Sequence, residues 1–302
     1  MSHWTFANIP DQSDRRAVVT GANTGIGFET ARALALKGAE VVLACRDRSR
    51  GEEAARRIHA EGPAGTARLM HLDLSDLVSV RRFAADYRAE NGQLDILVNN
   101  AGVMVPPLSR TEEGLELQFG VNFLGHFALT GLVMDLITST PRSRIVTVSS
   151  LASRIGRIDF NNLRAESGYR AVREYAQSKL ADLMFALELE RRLRMTGHDT
   201  LSLAAHPGFT RTDLQRHSPV ADFLVDFWSN SAEQGSLPSL YAATDPQALG
   251  GGYYGPHGLG EARGYPAPAR IAPKALDGVT AERLWRFGES LSGVEFLSDA
   301  GR

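Results

Sequence analysis

Tyr175 and Lys179 stand four residues apart in Tyr175-Ala176-Gln177-Ser178-Lys179. On a helix this spacing puts both side chains on one face, within reach of each other. A phenol with a pKa near 10 is a poor proton donor or acceptor at neutral pH. A neighbouring ammonium favours the phenolate and suits the pair to general acid–base work. Composition does not generate the pair: with seven tyrosines and only three lysines (Lys37, Lys179, Lys274), chance supplies ~0.07 such spacings. An arginine in place of Lys179 would present a different charge shape and hydrogen-bond geometry. The competing reading is an ordinary surface pair on a helix.

A second constellation surrounds Gly21, Gly25 and Gly27 in Thr20-Gly21-Ala22-Asn23-Thr24-Gly25-Ile26-Gly27. Glycines let a backbone approach a pyrophosphate, and a following helix N-terminus offers free N–H groups, here from Asn23, Thr24 and Ile26 onward. Taken alone the glycines could be a tight turn; their place after an apolar strand and before a helix selects phosphate binding. The next strand ends Ala44-Cys45-Arg46-Asp47-Arg48. An acid at that end would take a ribose 2′-hydroxyl and a guanidinium a 2′-phosphate. Cys45 stands where the acid is expected and Arg46 follows, which favours NADP over NAD. The alternatives are a solvated cluster of Arg46, Arg48 and Arg50, and Asp47 reaching a ribose.

Other polar groups fall at the ends of apolar runs: Asp73, the Asn99-Asn100-Ala101-Gly102 stretch, and Ser149-Ser150. A hydroxyl at a strand's carboxyl end could bond a substrate carbonyl or cap the next segment. Asn122 lies inside the apolar run Val121-Asn122-Phe123-Leu124 and needs partners there, as a satisfied core group if nothing more.

These residues need a scaffold, and the hydrophobic pattern supplies one. Short apolar runs at 17–20, 41–44, 67–72, 94–98, 143–148 and 200–205 read as strands. They alternate with helical patterns at 28–37, 50–60, 77–90, 112–138 and 169–195. Strands apolar on both faces, alternating with helices, mean an α/β fold with a doubly wound parallel sheet. Ligands bind beyond the carboxyl ends of such strands. The Gly- and Pro-rich part after Leu249, closed by a helix over about 280–291, reads as a trailing extension.

Composition narrows the classes further. Thirty-three basic and 35 acidic residues give a net charge of −2, which argues against nucleic-acid binding through a basic face. Cys45 is the only cysteine, so an intrachain disulfide or cysteine zinc cluster is excluded, and no motif calls for a metal. No basic segment followed by an apolar stretch opens the chain, and no apolar run is long enough to span a membrane. The expected location is cytoplasmic.

Jointly, the motifs resemble the short-chain dehydrogenase/reductase family from about Arg16 to Asp213. They are Thr20-Gly21-x-x-x-Gly25-x-Gly27, Asp73-Leu74, Asn99-Asn100-Ala101-Gly102, Asn122, Ser150, Tyr175-x-x-x-Lys179 and Pro207-Gly208-x-Thr210. Leu72 to Ser75, His126-Phe127, the long Ser150-to-Tyr175 segment, His206-Pro207-Gly208 and Tyr254-Gly255-Pro256 are similar to its retinol-dehydrogenase-like branch. The resemblance implies one Rossmann domain over 1–302, with a core at about 15–255 and a C-terminal appendage at about 256–302. It implies that Tyr175 is the general acid–base, that Lys179 lowers its pKa and holds the nicotinamide ribose, and that Ser150 polarises the substrate oxygen. Asn122 would position a relay water. Asp73 and Leu74 would flank the adenine, and Asn99, Ala101 and Gly102 line the cofactor. Pro207 and Gly208 would bind the cofactor, and Thr210 would contact the nicotinamide amide and phosphate. The expected activity is NADP(H)-dependent hydride transfer to or from an apolar carbonyl or alcohol, the pocket being closed by 103–109, 151–169 and 209–228. Phe209, Leu214, Phe223, Leu224, Phe227 and Trp228 could wall it or belong to the core. A homodimer through the helices at 112–138 and 170–195 is expected. A non-catalytic dinucleotide-sensing regulator or a binding scaffold are the alternatives.

Overall fold

The computed structural model describes residues 3–209 and 230–298. Apolar, β-branched runs form a central parallel sheet: β1 (Arg16–Thr20), β2 (Glu40–Cys45), β3 (Thr66–His71), β4 (Ile96–Asn99), β5 (Arg144–Val148) and β6 (Leu201–Ala205). The chain winds outward from β1 through β2 to β3, then returns to lay β4 on the other side of β1, giving the order β3-β2-β1-β4-β5-β6, extended by β7 (Tyr253–Gly258) and β8 (Arg263–Pro268). The order reverses at β1 and β4, paired in parallel from Ala17↔Ile96 to Val19↔Val98. Their carboxyl ends carry the glycine loop and Asn99–Gly102, so the crevice expected at such a switch point lies between those two loops.

Alternation along each strand feeds two cores. Val18, Leu97 and Ile145 point to one face. Ala17, Val19, Ile96, Val98 and Val146 point to the other. Helices α3 (Leu77–Glu90), α5 (Gly125–Leu132) and α7 (Ala171–Met195) cover the first face; α1 (Gly25–Leu36) and α2 (Arg48–Ala60) cover the second. Helix starts follow the short polar side chains. Asp47 caps α2 by accepting from the Arg50 N–H at 3.0 Å, and Asp76 caps α3 through Val78 N at 2.8 Å.

Three elements depart from expectation. The helical stretch at 112–138 is broken: α4 (Leu117–Phe119) runs into a π-helical segment over Gly120–Leu124, then α5, then α6 (Met134–Ser139). A second departure is α8 (Ala232–Thr244), which packs on the α1 side and carries Pro238 within it. The third is the sheet's far edge. Tyr253–Gly258 is β7, parallel to β6, and Arg263–Pro268 is β8, antiparallel to β7. Pro266 and Pro268 sit on the outermost strand, where a missing N–H costs no ladder bond. The extension after Leu249 is thus partly sheet. Asp277 then caps α9 (Gly278–Ser292), whose Leu284 and Trp285 are buried. Trp285 packs edge-on against Phe127 of α5, with ring centroids 5.1 Å apart. No helix among the described residues is long and apolar enough to cross a membrane.

Candidate active site

The carboxyl ends of β1, β4 and β5, the start of α1 and the first turns of α7 enclose a cleft of about 480 Å³. Its floor is the glycine loop. A Cβ on Gly27 would lie 2.4 Å from Asn100 Nδ2 and 2.5 Å from Gly21 O, and Gly21 has φ of +65°, so neither position accommodates a side chain. Thr24, the residue before α1, makes no side-chain cap bond, which leaves the first amides of α1 facing the cleft for an anion. Asn23, Gly25 and Ile26 line it too.

At the β2 end, Arg46 and Arg50 both line the cleft. Arg46 is oriented by Asp73, its Nε 3.9 Å from Oδ2. Cys45 is buried, and burial pushes its thiol up to about 12, so this position carries no negative charge at neutral pH. Asp47 caps α2 through Oδ1, and its Oδ2 lies 3.6 Å from Arg50 Nε. The glycine cradle, the open helix end and two guanidiniums fit a dinucleotide.

Tyr175 and Lys179 open onto the other end of the same cleft, beside Ala101, Gly102 and Pro207. Lys179 is buried; its Nζ donates to Val148 O at 2.9 Å and to Asp182 Oδ2 at 2.8 Å. Burial works against the ammonium, but Asp182 and Tyr175 outweigh it and hold Lys179 above the ordinary lysine value. Burial pushes the Asp182 carboxyl up to about 6 against the pull of Lys179. Ser149 and Ser150 differ in what they have left to give. Ser149 Oγ donates its proton to Lys179 O at 2.7 Å. Ser150 Oγ accepts from Ala152 N at 3.2 Å, which leaves its own proton for another acceptor. Only Ser149 of the two lines the cleft, with Val103, Met104, Pro106 and Val148 forming an apolar stretch beside it.

A buried hub ties these pieces together. Thr20 Oγ1 accepts from the amides of Asn100 and Ala101, both at 2.9 Å, and lies 2.8 Å from His126 Nε2. His126 Nδ1 is 2.8 Å from Asn122 O. A carbonyl only accepts, so Nδ1 carries the proton and Nε2 receives the Thr20 hydroxyl. Burial lowers the His126 pKa to about 4, in keeping with this neutral ring. Asn122 is buried; its Oδ1 accepts from Val103 N at 2.8 Å and its Nδ2 donates to Val103 O and Ser178 Oγ. The π-helical turn carries this clamp, as such turns often do at working sites.

The other expected residues lie outside the cleft wall. Asp73 Oδ1 accepts from Ser75 N and Oγ, and Leu74 is buried in the core. Asn99 is buried and bonds Thr130 Oγ1 at 3.0 Å. Gly208 N donates to His206 Nδ1, one residue beyond the lining Pro207. Thr210, with Leu214 and the aromatic residues through Trp228, lies outside the described residues. The segment 151–169 does not line the cleft directly; Tyr169 reaches it by donating to Pro106 O at 2.6 Å. Sequence reasoning did not assign Arg50, Asn100, His126 or Asp182 to the site. Asp182 had a signal, a lone acid in the apolar run Leu180 to Phe185.

Comparison with known proteins decides the family. A family profile described as short chain dehydrogenase matches residues 15–221. The chain belongs to the short-chain dehydrogenases. Human retinol dehydrogenase 12 is 42% identical over 284 residues, covering 92% of this chain and 86% of the relative. Human retinol dehydrogenase 13 is 42% identical over 301 residues, covering 96% and 87%. A solved protein from Mycobacterium Paratuberculosis is 40% identical and superposes with a TM-score of 0.83, covering 98% of this chain and 99% of that one. A solved Beutenbergia cavernae protein proposed to be an NAD(P) dependent gluconate 5-dehydrogenase, with NADP bound at low occupancy, is 26% identical with a TM-score of 0.64, covering 80% and 95%. This short-chain dehydrogenase is therefore an oxidoreductase of the retinol-dehydrogenase-like kind, interconverting CH–OH and C=O with NAD(P)(H).

Proposed function

We propose that the chain is an NADP(H)-dependent reductase or dehydrogenase of an apolar carbonyl or alcohol, with Tyr175 as its general acid–base. The observation that carries this reading is the shared cleft: the acid–base pair at one end, two guanidiniums at the other, and an apolar wall of Val103, Met104, Pro106 and Val148 beside the pair. Retinol, named in its relatives, is an alcohol of that apolar kind, and a solved relative carries NADP. When bound, the dinucleotide supplies hydride exchange with the carbonyl carbon.

The chain's own residues do the rest. Tyr175 gives a proton to the substrate oxygen in reduction and takes one in oxidation. The Lys179 ammonium stabilises the phenolate form and bonds the ribose hydroxyls. Ser150 polarises the substrate oxygen with the O–H that its cap bond leaves free. Asn122 fixes the Val103 loop and offers its second carbonyl lone pair to a relay water. Asp73 and Leu74 would flank the adenine, Asn99 would support the loop of Ala101 and Gly102, and Pro207, Gly208 and Thr210 would contact the nicotinamide end of the cofactor.

The test is a panel of apolar aldehydes, ketones and alcohols with NADPH and NADH, followed by nicotinamide absorbance. Tyr175→Phe is expected to cut kcat by about 10²–10⁴-fold while still binding NADPH. An undiminished rate in that variant would remove Tyr175 from the chemistry. Cofactor binding without turnover on any panel member would favour a dinucleotide-sensing regulator.

A further inference from the structure

We infer that Asp182 is a positioning residue for the acid–base pair: a buried counter-ion that keeps Lys179 charged and aims its remaining N–H into the cleft. The inference rests on the catalytic reading above and adds a residue to it. Tyr175, Lys179 and Asp182 occupy positions i, i+4 and i+7 of α7, a single stripe along one helix face. The stripe runs inward, from a half-buried phenol to an ammonium 5% exposed and a carboxylate 2% exposed. A charge at that depth is costly unless it is paired and hydrogen-bonded.

Lys179 Nζ has three protons. One goes to Val148 O and one to Asp182 Oδ2, at 2.9 and 2.8 Å. These two acceptors fix the nitrogen and direct the third N–H, on the side where Gly102 and Tyr175 meet the cleft. The close approach is visible at Gly102, where an added Cβ would be 3.6 Å from Nζ. Among the described residues, the titratable groups acting on Lys179 are Asp182 and Tyr175 from its own helix and His126 from α5. His126 is neutral, as its bonds to Thr20 and Asn122 require. From β5 the neighbour is a carbonyl, Val148 O, and from the loop after β4 it is Gly102. Among the described residues, Asp182 is thus the only formal negative charge facing the ammonium while Tyr175 is protonated. Without it, a buried lysine sheds its proton as burial dictates, and the phenol loses the cation that favours its ionised form.

The three-lysine composition makes the test direct. With ¹³C at lysine Cε, the protein gives resonances from Lys37, Lys179 and Lys274 alone, and Lys179→Arg identifies the one of interest. In the native chain Lys179 is expected to titrate above the ordinary lysine value. In Asp182→Asn, which keeps the size and an acceptor but removes the charge, Lys179 is expected to titrate below that value. The Tyr175 phenolate, read as the ultraviolet difference from the Tyr175→Phe counterpart, should then appear at higher pH. NADPH affinity should weaken about tenfold between about pH 7 and about pH 10 in Asp182→Asn and stay flat in the native chain. A Lys179 midpoint below the ordinary lysine value in the native protein, or one unmoved by Asp182→Asn, overturns the inference. The first comparison needs no variant of Asp182, so it decides even if Asp182→Asn does not fold. Neither nuclear resonance nor phenolate absorbance depends on a substrate, so failure here is distinct from failure of the proposed reaction.

Discussion

Whether the end of β2 takes a ribose hydroxyl or a phosphate turns on four side chains, Cys45, Arg46, Asp47 and Arg50. Cys45 is uncharged at neutral pH because burial raises its thiol, so nothing there repels a phosphate or accepts from a ribose as a carboxylate would. Asp47, the nearest acid in sequence, caps α2 through Oδ1 and faces Arg50 with Oδ2. Arg46 and Arg50 lie on the cleft wall, more than half exposed, beside Asp73 and Asp47 respectively. Hydrogen bonds to a charged group contribute about 1.5–3 kcal/mol, and solvent screening at this exposure puts each guanidinium at the low end. Arg46→Ala and Arg50→Ala should each weaken NADPH by about tenfold and NADH by less than about threefold, as read by nucleotide fluorescence titration. Equal losses for the two nucleotides would overturn the NADP assignment. Arg46 was legible from its place after the strand. Arg50 was not, because only the first turn of α2, running back toward the cleft from its Asp47 cap, brings position 50 alongside position 46.

Between elements, the determining contact is the Thr20–His126–Asn122 chain, which joins the end of β1 to the kink before α5. It works only with a neutral imidazole, since Nε2 must accept and Thr20 Oγ1 already receives two amides. The His126 pKa falls from 6.5 to about 4 on folding, through burial first. The unfolded chain therefore binds more protons in that window, so this contribution is present above pH 6.5 and is lost as pH falls toward 4. Its size is about 3 kcal/mol. His206 shifts the same way and Asp182 the opposite way, so the His126 part is read as the difference in the pH 7 to pH 4 slope of Tm between the native chain and a variant. His126→Gln should reduce that slope by about one proton; an unchanged slope would mean the ring is protonated in the native protein. The strands that frame this hub were readable because both faces are buried and the runs are apolar throughout. The π-helical turn was not readable. Gly120 to Leu124 continues the helical apolar pattern, and only the tertiary bonds of Asn122 to Val103 and Ser178 account for the break. Likewise β7 was hidden in Gly252 to Pro256, where glycine and proline signal a turn; pairing with β6 and burial of Tyr253 and Tyr254 override that signal.

Across the whole molecule, the C-terminal helix changes what α7 can do. The expected homodimer would join copies through α7 and the kinked helix, and these are the surfaces that α9 covers within one chain. Trp285 stands against Phe127 of α5 and Phe185 of α7, and the Arg192 guanidinium lies 4.3 Å from the Trp285 ring while pairing with Glu282. Phe296, beyond α9, adds a further ring 4.6 Å from Trp285. A second copy could reach α7 here only by displacing this aromatic cluster. Truncating a buried Trp or Phe to Ala typically costs about 3–5 kcal/mol, so removing Trp285 and its neighbours from their site is strongly unfavourable. The intact protein is therefore expected to sediment as a single 32.8 kDa species over the micromolar range. A chain ended before Asp277 should expose Phe127 and Phe185, and should associate or unfold at a lower temperature. Trp285→Ala should lower Tm without creating a dimer, because the rest of α9 still covers the face. A stable dimer of the intact chain, with α7 amides protected from hydrogen exchange only when concentrated, would show that α9 yields to a second copy.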